Sequence, residues 1–169
     1  MQKIAWVTTW GGSAAEHSRA RTREIGVSVC APFSSGKTPI MDLLAIAKNI
    51  ADRVEEQALR SKVSVAICLI DIHGNVVLRH RMSEAPVFSI DLSERKAYTS
   101  ALVGMRTADL LPLVQPGQPL FPLMSQDKYC AMGGGAPLTS EGRVIAGVGV
   151  SGGTVEQDVA ILEAGLREA

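Results

Sequence analysis

The stretch from Val144 to Asp158 constrains this chain more than any other. Val144 to Val150 is an apolar run interrupted only by glycine, which reads as a buried strand. It stops at Ser151-Gly152-Gly153, where two glycines supply a tight turn with free backbone angles. Thr154 and Gln157 have the spacing of a capping box, with Thr154 as the N-cap. A helix is predicted from there to the C-terminus, with Val155, Val159, Leu162 and Leu166 as its apolar stripe. Strand, glycine turn and open helix N-terminus give a place where backbone N–H groups face an anion or a carbonyl without side chains in the way. The plainer reading is that the glycines only let strand and helix pack closely.

The rest of the chain supplies the partners of that unit. Ile40, Leu43, Leu44, Ala47, Ile50, Ala51, Val54 and Ala58 mark one face of a long helix, with Thr38 as N-cap and Pro39 at its first position. Val63, Val65, Ile67 and Leu69 alternate as in a strand. His73-Gly74-Asn75 is turn chemistry, and Val76 to Met82 returns, so residues 63–82 read as a hairpin. Phe88 to Val103 reads as a helix, and 107–126 as short helical pieces broken by Pro112, Pro116, Pro119 and Pro122. Lys128 to Met132 is expected to be a further strand, ended by Gly133-Gly134-Gly135. Helix, hairpin, helices, strands and helix argue for an α+β sandwich with a mostly antiparallel sheet flanked by helices.

Bulk properties fit one core. The chain has 169 residues, 46% hydrophobic, with 17 basic and 17 acidic side chains and a formal net charge of +0. That balance gives no field to draw nucleic acid or an anionic membrane, and no apolar run reaches spanning length. Cys30, Cys68 and Cys130 have no C-x-x-C spacing, and an odd cysteine count without a signal-peptide core fits a reducing cytoplasm. Residues 1–37 read as an N-terminal extension, and 38–169 as the domain. Within the extension, Ala31-Pro-Phe-Ser-Ser-Gly-Lys-Thr38 imitates a phosphate-binding loop. Pro32 removes a donor and Ala31 resists positive φ, so nucleotide hydrolysis is not expected.

Candidate site residues are few. His73 sits at the hairpin tip beside Asp71. His80 shares the parity of Val76, Leu78 and Met82, where a packed core histidine is the plainer reading. Arg81 falls on the opposite face, suited to fork onto a carboxylate or to pair with Glu84 or Glu94. Lys96 lies on the second helix, where composition alone favours a solvated face. Gly134 and Gly135 offer bare backbone to a flat ligand, or merely a bulge. No histidine pair or His/Cys/Asp cluster has structural-zinc spacing, and the identity of any metal ligand stays open. Haem requires only one or two axial donors, and His73, His80, Met82, Met105, Met132, Tyr98 and Tyr129 all qualify by type.

Six pieces in order carry a family resemblance: Asp71-Ile-His-Gly-Asn75, Arg81-Met82 with Ala85-Pro86, Lys96-Ala97 with Thr99, Gln115-Pro-Gly117, Gly133-Gly-Gly-Ala-Pro137 and the signature Gly147–Asp158. From about Thr38 to Ala169 the chain resembles the GlcG/HbpS family, the haem-degrading domain family to which the C-terminal domain of PduO-type proteins belongs. The resemblance implies a profilin-like fold, a homo-oligomer and a small-molecule ligand, with haem or another tetrapyrrole as the expected cofactor. It raises Lys96, which falls where the family has its Lys-Ala piece. It brings the 133–135 and 151–154 turns near one another, with Lys96 framing one pocket or interface. On this reading Asp71, His73 and Lys96 are the candidates for chemistry. Arg81, Gly134, Gly135, Gly152, Gly153 and Thr154 are the candidates for ligand binding. The alternatives are a small lyase or isomerase acting on a carboxylate, with Arg81 or Lys96 holding the anion and His73 or Asp71 moving a proton, and a non-catalytic accessory subunit. Glu55 and Glu56 are adjacent, not spaced as Glu-x-x-Glu, so an iron-sensing role outside the cell is not expected.

Overall fold

The computed structural model describes residues 42–167. The readings placed on the extension, including the loop at 31–38, His17, Cys30 and the Thr38 cap, lie outside the described residues. The first described helix, α1, runs Leu43–Arg60 and starts at Asp42, whose side chain accepts from the Ala45 N–H at 3.1 Å. Ala47, Ile50, Ala51, Val54 and Ala58 form its buried face as their spacing predicts, but Leu44 is exposed.

Strands β1 (Ala66–Asp71) and β2 (Val76–Arg81) form the expected hairpin. Helix α2 spans Ser89–Val103 and ends at Gly104 in the left-handed conformation, φ +75°. The proline-broken stretch contains a short helix α3 (Thr107–Leu110) and two 3₁₀ turns, Leu111–Val114 and Phe121–Ser125. Strands β3 (Gly135–Ser140) and β4 (Arg143–Ser151) and helix α4 (Val155–Arg167) complete the described chain.

The strand expected at Lys128–Met132 is absent. That segment is irregular, and the next strand begins at Gly135. The three glycines therefore open a strand, where the sequence reading had them close one. The segment before it pairs with a helix and not with a strand: the Cys130 N–H donates to Thr99 Oγ1 of α2 at 2.8 Å, and at Gly135 the Lys96 carbonyl would stand 2.6 Å from a Cβ. Only bare backbone enters the sheet there.

The sheet is antiparallel throughout, in the order β2-β1-β4-β3. The α+β sandwich expected from the sequence is what forms. Ile67, Leu69, Val148 and Val150 point to one face, where they pack with Val54 of α1 and Ile161 and Leu162 of α4. Each such side chain taken fully from water contributes about 1.5–3 kcal/mol. Cys68 and Ile70 point to the other face, against Ala97 and Ala101 of α2. There α2 lies on a glycine column. A Cβ at Gly147 would collide with the Ala97 carbonyl, and one at Gly149 with the Ser93 carbonyl. On α4 the buried positions are Asp158, Ile161, Leu162 and Gly165, with Val155 exposed. The expected stripe is rotated because α4 must meet α1: a Cβ at Gly165 would lie 2.6 Å from a Val54 methyl. Among the described residues, no helix is long and apolar enough to cross a membrane.

Candidate functional site

The glycine signature folds around a buried ion pair. Lys96 leaves the inner face of α2 and is fully buried, which corrects the reading of a solvated helix face. Its Nζ donates to Asp158 Oδ2 at 2.7 Å and to the Val150 carbonyl at 2.9 Å. The other carboxylate oxygen of Asp158 accepts from the Gly153 N–H at 2.9 Å. One cation thus ties the end of β4 to the first turn of α4. Burial pushes the Asp158 carboxyl above its ordinary range, and the hydrogen bond and charge of Lys96 oppose that rise.

The turns close over this pair. Gly134 has φ +104°, and a Cβ there would lie 2.7 Å from the Val150 carbonyl and 3.0 Å from Lys96 Nζ. A Cβ at Gly152 would strike the Ser64 carbonyl and stand 2.7 Å from Val65 Cα. Gly153 differs: its nearest neighbours are side chains of Gln157 and Val63. Thr154 and Gln157 form the predicted capping box, with Thr154 N–H donating to Gln157 Oε1 at 2.9 Å and Gln157 N–H to Thr154 Oγ1 at 3.3 Å. Lys96, Gly134, Gly135, Gly152, Gly153 and Thr154 therefore meet at one end of the sandwich. Asp158 is the member sequence reasoning missed. Its signal was its place four residues after the cap, on the helix face that turns inward.

The other candidates lie elsewhere. Asp71 Oδ1 accepts from the N–H groups of His73 (2.8 Å) and Asn75 (2.9 Å), and Oδ2 from Asn75 Nδ2 (3.0 Å). These bonds hold the Asp71 carboxyl below its ordinary value, the Asn75 backbone N–H contributing most. His73 is exposed at the hairpin tip. Arg81 does not pair with Glu84 or Glu94. Its guanidinium donates to the carbonyls of Ser83 and Ala85, while Arg79 takes Glu94.

Two open clefts accompany these residues. A groove of about 580 Å³ lies between the C-terminal half of α1, at Glu55 and Leu59, and the end of β2, at His80, Arg81 and Met82. Its volume is within the range of small-molecule sites, about 300–1,000 Å³. A smaller cleft of about 280 Å³ lies beside the hairpin tip, walled by Arg79, Arg95, Tyr98 and Lys128 and by the carboxylates of Asp91, Glu94 and Asp127. Tyr98 is held there edge-on by Tyr129, with ring centroids 5.5 Å apart, and Lys128 Nζ lies 5.2 Å from the Tyr98 ring centroid. Among the described residues no group of three or more His, Cys, Asp or Glu side chains is placed to hold a metal ion.

An antiparallel sandwich with one closed ionic knot and one ligand-sized groove defines a small α+β domain of the profilin-like kind. The chain belongs to the HbpS-like family: the model described as haem degrading protein HbpS-like matches residues 43–167. A 15.0 kDa protein from the dhaT-dhaS intergenic region of Citrobacter freundii is 43% identical over 125 residues, which cover 73% of this chain and 88% of that protein. The corrinoid adenosyltransferase PduO of Salmonella typhimurium is 34% identical over 137 residues, covering 80% of this chain and 41% of PduO, so the chain spans less than half of that enzyme. Among solved structures, the PduOC:heme complex superposes with a TM-score of 0.70 at 34% identity, covering 72% of this chain and 90% of that one.

Proposed function

We propose that this protein binds haem or a related tetrapyrrole in the groove between α1 and the end of β2. The observation that carries the reading is the groove itself: about 580 Å³, open, and lined by His80, Arg81 and Met82 beside the carboxylates of Glu55 and Glu84. Leu59, 61% exposed at its edge, offers apolar surface to a macrocycle. Arg81, though engaged with two carbonyls, has guanidinium N–H groups left to meet a propionate. The matching family and the haem complex of a relative support the same ligand. When bound, haem supplies the iron and its oxygen or redox chemistry; the protein's part is to hold, orient and shield it.

In this reading Lys96 is a positioning group. Fully enclosed and bonded to Asp158 and the Val150 carbonyl, it ties down the 151–154 turn and lies out of reach of a ligand in the groove. A hemin titration of the full chain, followed by the Soret band, tests the proposal. A saturable band with one haem per chain supports it, and a spectrum equal to free hemin plus protein defeats it.

One observation favours carboxylate chemistry as a second reading. The hairpin-tip cleft places Arg95 and Lys128 beside a tyrosine ring, one residue from His73, with Arg79 paired to Glu94 and the carboxylates of Asp91 and Asp127 also in its wall. In that cleft Arg95 and Lys128 would hold the anion, where the sequence pointed to Arg81 or Lys96. Turnover of a small carboxylate by metal-free protein, lost in His73→Ala, is its test.

A further inference from the structure

We infer that the hairpin-tip cleft is a site for a small zwitterion, an α-amino acid with an apolar side chain. Its carboxylate meets Arg95 and Lys128, and its ammonium group meets Asp91 and Asp127. This rests on the carboxylate reading of that cleft, names its substrate class, and is independent of the haem groove. Asp91, Glu94, Arg95 and Tyr98 stand at positions i, i+3, i+4 and i+7 of α2. They therefore share one helix face, while Ser93, Lys96 and Ala97 are buried on the other. Arg79 of β2, Gly74 of the hairpin turn, Asp127 and Lys128 complete the walls. The volume, about 280 Å³, falls just below the usual range of about 300–1,000 Å³ and suits a metabolite of amino-acid size.

The charges of the cleft balance, and they are not all spent on one another. Arg79 and Glu94 form an ion pair between β2 and α2. Asp91 and Arg95 have the i, i+4 spacing at which such pairs form. Yet among the described residues no ion pair includes Asp91, Arg95, Asp127 or Lys128. Two cations and two carboxylates are thus left over in one concavity. A simple anion there meets two repelling carboxylates, and a simple cation meets two repelling cations. A molecule that carries both charges is complementary to both sets. Tyr98 supplies the apolar wall. Its ring is held edge-on by Tyr129 and abuts the hairpin tip, where a Cβ on Gly74 would lie 2.9 Å from Tyr98 Cε2. Asp71 in turn fixes that tip by accepting from His73 and Asn75, so the wall is in place before a ligand arrives. Lys128 Nζ, 5.2 Å from the ring centroid, is steadied by the same ring.

The test is calorimetric titration of the full chain with three matched probes: L-leucine, isocaproate, which lacks the ammonium group, and isoamylamine, which lacks the carboxylate. L-leucine is expected to bind saturably and about tenfold or more tighter than either analogue, the scale of one lost charged hydrogen bond. Lys128→Met and Asp127→Asn are each expected to weaken L-leucine by a similar factor. Asp127→Asn is expected to leave isocaproate no weaker than in the wild type. Both side chains are exposed, so an unchanged melting temperature in these variants separates lost binding from lost folding. If isocaproate binds as tightly as L-leucine, the zwitterion is wrong and the carboxylate reading stands. If isoamylamine binds as tightly and isocaproate does not bind, both are wrong. If no probe binds, or if both variants bind L-leucine as the wild type does, the cleft is not the site inferred.

Discussion

Lys96 and Asp158, 62 residues apart in sequence, meet at 2.7 Å in a space closed to solvent. Neither charge has water to fall back on. Removing one partner leaves the other buried and unpaired, which costs about 3–5 kcal/mol, whereas replacing both with apolar groups of similar size is often neutral. Lys96→Met and Asp158→Leu are each expected to lose stability on that scale in urea melts. The double variant is expected to recover most of it. Equal, additive losses would show that the two residues act separately.

The glycine turn gives a ranking. Gly152 faces backbone at Ser64 and Val65, and Gly153 faces chiefly side chains. Gly152→Ala is expected to cost about 1–3 kcal/mol, the scale of forced overpacking, and Gly153→Ala less, because the Gln157 side chain can move. Thr154→Ala removes a cap and is expected to cost about 1 kcal/mol. Thermal melts of the three variants check the order.

Asp71 gives a pH dependence with a definite sign. Its carboxyl is held below the ordinary value of 3.8 by hydrogen bonds made in the folded turn. The charged form is therefore favoured by folding. The contribution is full above the unfolded value and fades as pH falls from about 3.8 through the lowered folded value. Asp71→Asn keeps a carbonyl acceptor for the turn and is expected to flatten this part of the acid limb. Melting temperatures of wild type and variant between pH 5 and about pH 2 will show it; parallel curves would rule the effect out.

Exposed Leu111, Leu113, Leu120 and Phe121 lie along the proline-broken segment. Apolar surface gathered in this way marks a contact site. Light scattering is expected to find at least a dimer at micromolar concentration, and Leu111→Ser with Phe121→Ser to weaken it. A monomeric wild type would contradict this.

Much of the fold was legible because its elements repeat at clear periods. The hairpin, α2 and the capped start of α4 all follow local chemistry that acts within a few residues. The misplaced strand at 128–132 shows the limit. Tyr129, Cys130 and Met132 have strand-like composition, but the Cys130 N–H donates to Thr99 Oγ1 and Tyr129 packs on Tyr98, contacts with α2 that are remote in sequence. The site divides in the same way. The turn at 151–154 could be read from its glycines and Thr154. Asp158 could not, because its value comes from Lys96, and nothing in the local pattern of either residue names the other. For His80, parity placed the ring on the core side, and only the structure shows that the core leaves its nitrogen without a partner.

The glycine column under α2 bears on how this architecture can change. At Gly147 and Gly149 the helix rests on naked backbone, so almost any substitution there lifts it and disturbs Lys96 with it. Around the groove the opposite holds: Leu59, Ser83 and Glu84 are exposed and carry little of the packing. Mutational drift is thereby channelled. The frame resists it and the groove's rim absorbs it, so a lineage built on this plan can vary the rim without having to rebuild the frame.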